Sequence, residues 1–299
     1  MKIALLSFIV LTASAADFNS KQGKKVTSPL QSPKNQHVLN NIFPEYYFLP
    51  KIYRGSRIAG GEFAKLGQFP HQALILTTDS NGDDFVCGGS IISHNWILTA
   101  AHCLEEIASV SIYVGIIDRI NGPAVWGLDV ESQTDMIIHE NFASSNLVND
   151  IALIRLSTTI KSDPNVGIVS LPTRSEANIL LDGKSATVAG FGRYTDTSGP
   201  SQFLRWVLSP IVPNENCEKV FGKANVLYTN ICLDTAGGKS SCQGDSGGGL
   251  TVDLNGRKVL VGVVSYGARI GCTLGHPAVF TRVSKYLDWI QEKTSIKIF

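Results

Sequence analysis

The sequence predicts an all-β protein, a sandwich or a barrel, and three observations carry this. From Arg57 onward, short apolar runs alternate with turns rich in Gly, Asn, Asp and Pro: QALILTT, DSNGDD, FVCGGSII, SHN, WILTAA. Many strand-length runs at close turn spacing fit a sandwich or barrel. Asn81–Gly82, between the first two runs, is a strong hairpin signal, because both residue types accept the positive φ of a tight primed turn. Helical periodicity is confined to short pieces.

The chain starts with a segment of a different kind. Residues 1–15 read as a secretory signal: Lys2 is the charged start, IALLSFIVL the apolar core, and Ala13, Ser14 and Ala15 the small-residue cleavage site. The apolar run is about half of the roughly 20 residues that span a bilayer, so no membrane anchor is expected. Residues 16–57 are polar, basic and proline-containing, the composition of an extended leader. Charge divides the chain at the same place, with net +5 over residues 17–57 and net −5 over residues 58–299. The whole carries only +1, which points to no nucleic-acid partner.

In the body, SIYVGII, DIALIRL, ATVAGFG, LRWVLSPIV and VLVGVVSYG continue the strand pattern. A short helix is expected after Ala100, with Glu105 and Glu106 on its solvated face. A second should run from Asn214, as N-cap, to Gly222. At the C terminus VSKYLDWIQ sets Val283, Tyr286, Leu287 and Ile290 on one helical face. There are six cysteines, all beyond residue 80. An even number in a secreted chain favours disulfides. No CxxC pair is present, the spacings suit no zinc site, and no metal or other cofactor is expected.

The chemistry centres on GGKSSCQGDSGGGL, Gly237–Leu250. Ser246 sits there between glycines, and a serine hydroxyl becomes a nucleophile only when a neighbouring imidazole takes its proton. That imidazole must be held in one tautomer, usually by a buried carboxylate. Of the six histidines, His37, His71, His94, His139 and His276 read as structural or solvated. His102 follows WILTAA and adjoins Cys103, which could pin it to a rigid element.

RIAGG (Arg57–Gly61), LTAAHC (Leu98–Cys103), NDIALIRL (Asn149–Leu156) and GDSGG (Gly244–Gly248) together resemble the trypsin/chymotrypsin-type serine proteases. The four motifs come in the family's order and spacing. GQFPHQ and the six-cysteine body are similar to the arthropod digestive branch, including its brachyurin-like members. The resemblance implies two packed antiparallel six-stranded β-barrels and a C-terminal helix, the first barrel over about 58–160 and the second over about 161–299. It implies His102 as general base, Asp150 as orienting acid and Ser246 as nucleophile, with the N–H groups of Gly244 and Ser246 as oxyanion hole. Ser265, Tyr266 and Gly267 would line the cleft and pair with extended substrate backbone. The implied disulfides are Cys87–Cys103, Cys217–Cys232 and Cys242–Cys272. Cleavage after Arg57 would free the ammonium of Ile58 to pair with Asp245, which makes 16–57 an activation propeptide. No residues match the family's calcium loop. The implied partners are a protein or peptide substrate, a trypsin-like activating protease and protein inhibitors, with the protease itself a monomer.

Two positions bear on specificity. By the resemblance Ser240, six residues before Ser246, lies at the base of the pocket for the side chain preceding the scissile bond (P1), where trypsin-like members carry an aspartate. Ala278 stands where glycine is usual on the pocket wall and should narrow it. Gly267 at the mouth leaves entry open. These imply preference for Phe, Tyr, Leu or Met, and rejection of Lys and Arg. Gly249 replaces the usual proline after GDSGG and touches no mechanism.

Two other readings compete. Gly244-x-Ser246-x-Gly248 fits the nucleophile elbow of α/β-hydrolases. That fold needs a helix after the serine and the acid and histidine downstream; here strand-like LTVDL follows, and only His276 remains. A secreted relative that has lost activity and serves as a binding protein is the second; all three catalytic positions are intact.

Overall fold

The structure, a computed structural model, describes residues 60–299; the signal, the leader, Arg57 and Ile58 lie outside the described residues. Fourteen strands follow: β1 (Glu62–Phe63), β2 (Gln72–Asp79), β3 (Asp84–Ser93), β4 (Trp96–Thr99), β5 (Ile107–Val114), β6 (Trp126–Val130), β7 (Met136–Ile138), β8 (Ala152–Arg155), β9 (Ser185–Gly190), β10 (Arg205–Val212), β11 (Asn230–Leu233), β12 (Gly249–Leu254), β13 (Arg257–Tyr266) and β14 (Ala278–Arg282). Two helices join them, α1 (Asn214–Phe221) and α2 (Leu287–Thr294).

The strands form two antiparallel seven-stranded sheets. The first has the order β6-β5-β2-β3-β4-β8-β7. Its two edge strands, β6 and β7, are joined by the short link 131–135, so the sheet curls until they act as one broken strand. The second runs β1-β10-β11-β14-β13-β12-β9, with β9 also paired to β10, which closes a ring of six and leaves β1 as an appendage. Each sheet is therefore a six-stranded barrel, and closure leaves few free edges.

Why the runs read as they do follows from burial. In β2, Ala73 and Ile75 face the first barrel's core with Ile97, Val110, Ile112 and Leu153. Leu74, pointing the other way, packs with Tyr113, Ile116, Ala189, Phe191 and Leu204. Both faces of this strand are covered, so QALIL reads as a continuous apolar run. β10 keeps the alternation of a half-covered strand: Val207, Ser209 and Ile211 are buried, Leu208 and Pro210 exposed. Val188, Ile231, Leu250, Val259 and Phe280 fill the second barrel. Burying a side chain of this size contributes about 1.5–3 kcal/mol.

Several local expectations change. The segment after Ala100 is one 3-10 turn, Ala101–Cys103, and Glu106 lies beyond it at φ 58, so the two glutamates do not share a helix face. Asn214 is the first helical residue of α1; the N-cap is Pro213, and the Asn214 amide instead donates to the carbonyls of Leu227 and Asn230. Gly222 does end that helix, at φ 86. β1 pairs with β10, so the chain from Glu62 begins on the second barrel. Conversely Tyr286, Leu287, Trp289 and Ile290 at the C terminus pack into the first barrel's core.

Candidate active site

His102 is the central residue of the 3-10 turn that follows β4. The Cys87–Cys103 disulfide ties this turn to β3. Asp150 lies just before β8, beside β4 in the sheet, so neighbouring strands bring the two residues together. Asn149 holds the bend before it at φ 57. Its amide donates to the Asn141 carbonyl (2.8 Å) and its oxygen accepts from Tyr286 (3.0 Å), which fixes this left-handed residue at both ends.

Asp150 is fully buried. Its Oδ1 accepts the backbone N–H of His102 at 3.0 Å, and Oδ2 lies 2.8 Å from His102 Nδ1. Ser265 Oγ donates to the same Oδ2 at 2.6 Å, and Thr281 Oγ1 to the Asp150 carbonyl at 2.7 Å. A carboxylate only accepts, so Nδ1 carries a proton, and in the neutral imidazole this leaves the lone pair on Nε2. The imidazole stays partly open, at 24% exposure.

Ser246 comes from the second barrel, in the loop before β12. Its carbonyl accepts the Gly88 N–H of β3 at 2.7 Å, which locks the loop to the first barrel. His102 and Ser246 line one cavity of about 390 Å³. Ser246 Oγ makes no hydrogen bond to the imidazole among the described residues; such contacts are often long before substrate arrives. The loop's amides divide clearly. The N–H groups of Asp245, Gly247 and Gly248 donate to Cys242, Val264 and Asp245 carbonyls, while those of Gly244 and Ser246 have no acceptor among the described residues. Gly244 sits at φ 94, and a Cβ there would stand 3.0 Å from Gly192 Cα. Two free amides beside a serine can hold an oxyanion.

Asp245 is fully buried behind Ser246. Its oxygens accept from Gly192 N (2.7 Å) and Cys242 N (2.8 Å). Burial outweighs these two bonds and pushes its pKa up to about 7. A Cβ on Gly190 would come within 2.1 Å of this carboxylate and one on Gly192 within 2.5 Å, so AGFG is shaped around it. Its expected partner, Ile58, lies outside the described residues.

On the other side of Ser246 a cavity of about 290 Å³ is lined by Ser240, Gln243, Val264, Ser265, Tyr266 and Gly267, among others. Ser240 is 2% exposed and donates to the Ser241 carbonyl. A Cβ on Gly267 would meet nothing within 4 Å, so the mouth is open. Tyr266 donates to the Asn225 carbonyl, and burial pushes its hydroxyl up to about 12. Ala278 does not line the cavity. It is buried in β14, within the second barrel's apolar cluster. The structure adds residues that sequence reasoning missed: Arg193, Asp196, Arg269 and His276 also line the cavity. Disulfides Cys242–Cys272, at this cavity, and Cys217–Cys232, between α1 and β11, complete the six cysteines. Each typically contributes about 2–4 kcal/mol. Among the described residues no cluster suited to a metal ion occurs, and no helix is long and apolar enough to cross a membrane.

Two barrels with a histidine–aspartate pair on one and a serine between glycines on the other define a chymotrypsin-like serine protease. The family model described as Trypsin matches residues 58–290, and the chain belongs to that family. It is 39% identical over 240 residues to a brachyurin of Leptuca pugilator, covering 80% of this chain and 99% of that one. It is 37% identical to a collagenase of Hypoderma lineatum (81% and 89% covered) and 35% identical to a chymotrypsin of Phaedon cochleariae (84% and 87% covered). The solved structure of HL collagenase superposes with a TM-score of 0.73 at 34% identity, covering 81% of this chain and all of that one.

Proposed function

We propose that the protein is a secreted endopeptidase made as a zymogen, with 1–15 as signal and 16–57 as propeptide, and that it cleaves after large apolar or aromatic residues. His102 Nε2 takes the proton of Ser246 Oγ, which attacks the scissile carbonyl; the oxyanion accepts from Gly244 and Ser246 N–H. The imidazolium then protonates the leaving amine, and water hydrolyses the acyl-enzyme by the reverse sequence. The observation that carries this reading is the hydrogen-bonded chain Ser265–Asp150–His102 beside a serine flanked by two free amides. An inactive binding protein would not need that chain. Labelling by a fluorophosphonate after activation separates the two: an unlabelled Ser246 overturns the enzyme reading.

Specificity follows from charge. Ser240 supplies no anion at the cavity base, and both oxygens of Asp196 are taken by the wall. Arg193 and Arg269 on the lining add positive charge. A buried Lys or Arg side chain would lose its hydration with no anion at the cavity base to pair with, a penalty of several kcal/mol. Width is set by the open Gly267, so Phe and Tyr enter as readily as Leu and Met. Matched Phe, Leu, Ala and Arg substrates test this through kcat/KM, and an Arg substrate cleaved as fast as the Phe one would sink it. A pocket of this kind does not cut after Arg57, so activation needs a trypsin-like protease. Trypsin treatment should expose an N terminus reading Ile-Ala-Gly-Gly, and full activity of an uncleaved Arg57→Gln chain contradicts the zymogen reading.

A further inference from the structure

We infer that Asp196 is a positioning residue for the specificity pocket: it pins the pocket wall 268–273 to the loop 193–198 and so sets how well a large P1 side chain is held. This rests on the cavity beside Ser240 being the P1 pocket, as proposed above.

One carboxylate carries the connection. Asp196 Oδ1 accepts the backbone N–H of Cys272 (2.6 Å) and of Thr273 (3.2 Å), and Oδ2 accepts the Thr273 hydroxyl. Gly271, just before, adopts φ 146, and a Cβ on it would stand 2.7 Å from the Asp196 carboxyl carbon. The wall therefore folds closely around this carboxylate. The Thr273 hydroxyl and the two amides hold its pKa below the usual range, so it is an anion wherever the protease works. Apart from the Cys242–Cys272 disulfide at its end, no other side chain accepts hydrogen bonds from this stretch of wall among the described residues.

The loop bearing Asp196 is itself anchored, so it can act as a fixed post. Arg193 N–H donates to the Gln243 carbonyl (2.8 Å), beside the free amide of Gly244. Ser198 Oγ accepts from the N–H groups of Tyr194 (3.1 Å) and Thr195 (3.2 Å). The guanidinium of Arg205 lies 4.7 Å from the centre of the Tyr194 ring and 4.1 Å from that of the Phe63 ring. Arg205 is 5% exposed, donates to Ser201 Oγ and has no carboxylate partner among the described residues; the two rings take that place. A continuous set of contacts thus runs from β1 through Arg205 and Tyr194 to Asp196 and the pocket wall. Asp196 does not touch the reacting atoms. Its loss should leave the nucleophile working and let the wall sample positions that grip a large side chain poorly.

The test compares activated wild type with Asp196→Ala, Asp196→Asn and Thr273→Val. If the wall keeps its binding geometry only about a tenth of the time in Asp196→Ala, KM for a Phe substrate rises about tenfold while kcat changes by less than about twofold. KM for a matched Ala substrate, which fills little of the pocket, stays near wild type, so the Phe-to-Ala ratio in kcat/KM collapses. Thr273→Val, which removes one of three donors, gives a smaller shift in the same direction, and Asp196→Asn falls between. Fluorophosphonate labelling of Ser246 keeps its wild-type rate. Unchanged KM values overturn the inference. So does an equal loss of kcat with every substrate together with slowed labelling, the mark of a merely structural role. Wild type that lacks a preference for Phe over Ala contradicts the pocket reading instead; the same KM comparison is then made with the best P1 residue found, so the two failures are separate.

Discussion

The two barrels contribute to catalysis in different ways. The first barrel delivers His102 and Asp150 from positions joined to regular strands and a disulfide, with hydrogen bonds that the described residues complete, two of them donated by Ser265 and Thr281 of the second barrel. The second delivers Ser246, two amides and a pocket from loops, with Gly244 and Gly247 at φ 94 and 80 and a buried carboxylate, Asp245, that has no cation near it among the described residues. The candidate base is held by bonds that are already made, whereas the candidate oxyanion hole adjoins a buried carboxylate whose charge no described residue meets. That division fits the proposed zymogen: one half is complete among the described residues, and the other rests on one buried carboxylate.

Substitutions should separate these halves. The largest effect is expected from Ser246→Ala, a loss of about 10⁶-fold in kcat, with Asp150→Asn costing about 10⁴-fold through the wrong imidazole tautomer; hydrolysis of a Phe substrate measures both. Gly192→Ala comes next. Its Cβ would drive into Asp245, so kcat should fall about 10²- to 10³-fold, the effect of a lost oxyanion donor. The His102–Asp150 pair should persist, seen as an unchanged downfield imidazole proton in NMR. A normal kcat in that variant would break the comparison.

Two buried groups without a counter-ion among the described residues, His71 and Asp245, oppose each other in pH. Burial, then Lys258, lowers His71 to about 4, whereas burial raises Asp245 to about 7. For Asp245 the unfolded chain ionises first, so its cost to the fold is absent below pH 4 and grows up to pH 7. For His71 the unfolded chain protonates first, so its cost is absent above pH 6.5 and grows as pH falls to 4. Each reaches a few kcal/mol at its limit. In chemical denaturation of the full-length chain, Asp245→Asn should therefore gain stability relative to wild type as pH rises, and His71→Gln as pH falls. A difference that is flat in pH would show that the groups are solvated. The smallest effect belongs to Ser265→Ala, which removes one of several bonds to Asp150 and should slow kcat by no more than about tenfold, as expected for about 1 kcal/mol; a larger loss would mean that Asp150 is less well held than its other bonds imply.

The triad candidates are legible because each lies inside a contiguous motif whose neighbours form the same turn or strand. His102 is flanked by WILTAA and Cys103, and Asp150 opens the run DIALIRL, two residues before β8. The fold class is legible for a related reason: β2, β3, β4, β8, β10 and β13 are apolar runs between turns. Other features are not, since they depend on what meets them in space. β6, β7, β11 and β14 are short and polar-flanked, and become strands only by pairing. Ala278 stands at a pocket position by resemblance, and in space it pairs with Leu233 and belongs to the apolar cluster that holds Phe280. Asp196 has no local signal, because its partners lie 76 and 77 residues further on. Asn214 looks like a helix cap, yet its amide finds carbonyls 13 and 16 residues away and leaves that place to Pro213.

The crossing of the chain's ends has a mechanical consequence. β1 is laid on the second barrel, and the segment around α2 is sunk into the first, with Trp289 Nε1 donating to Glu140 (2.8 Å) and Tyr286 to Asn149 beside Asp150. Each half of the polypeptide is thus clasped by a strap from the other. Severing the connection between the barrels, around residues 161–184, would not release two independent modules: the straps would still hold the fragments as a noncovalent pair. Neither fragment alone could retain its shape, since the first would lose part of its core wall and the second its edge strand. Melting should accordingly occur as one event for the whole molecule, and a nick in that connection should loosen the protein without dividing it.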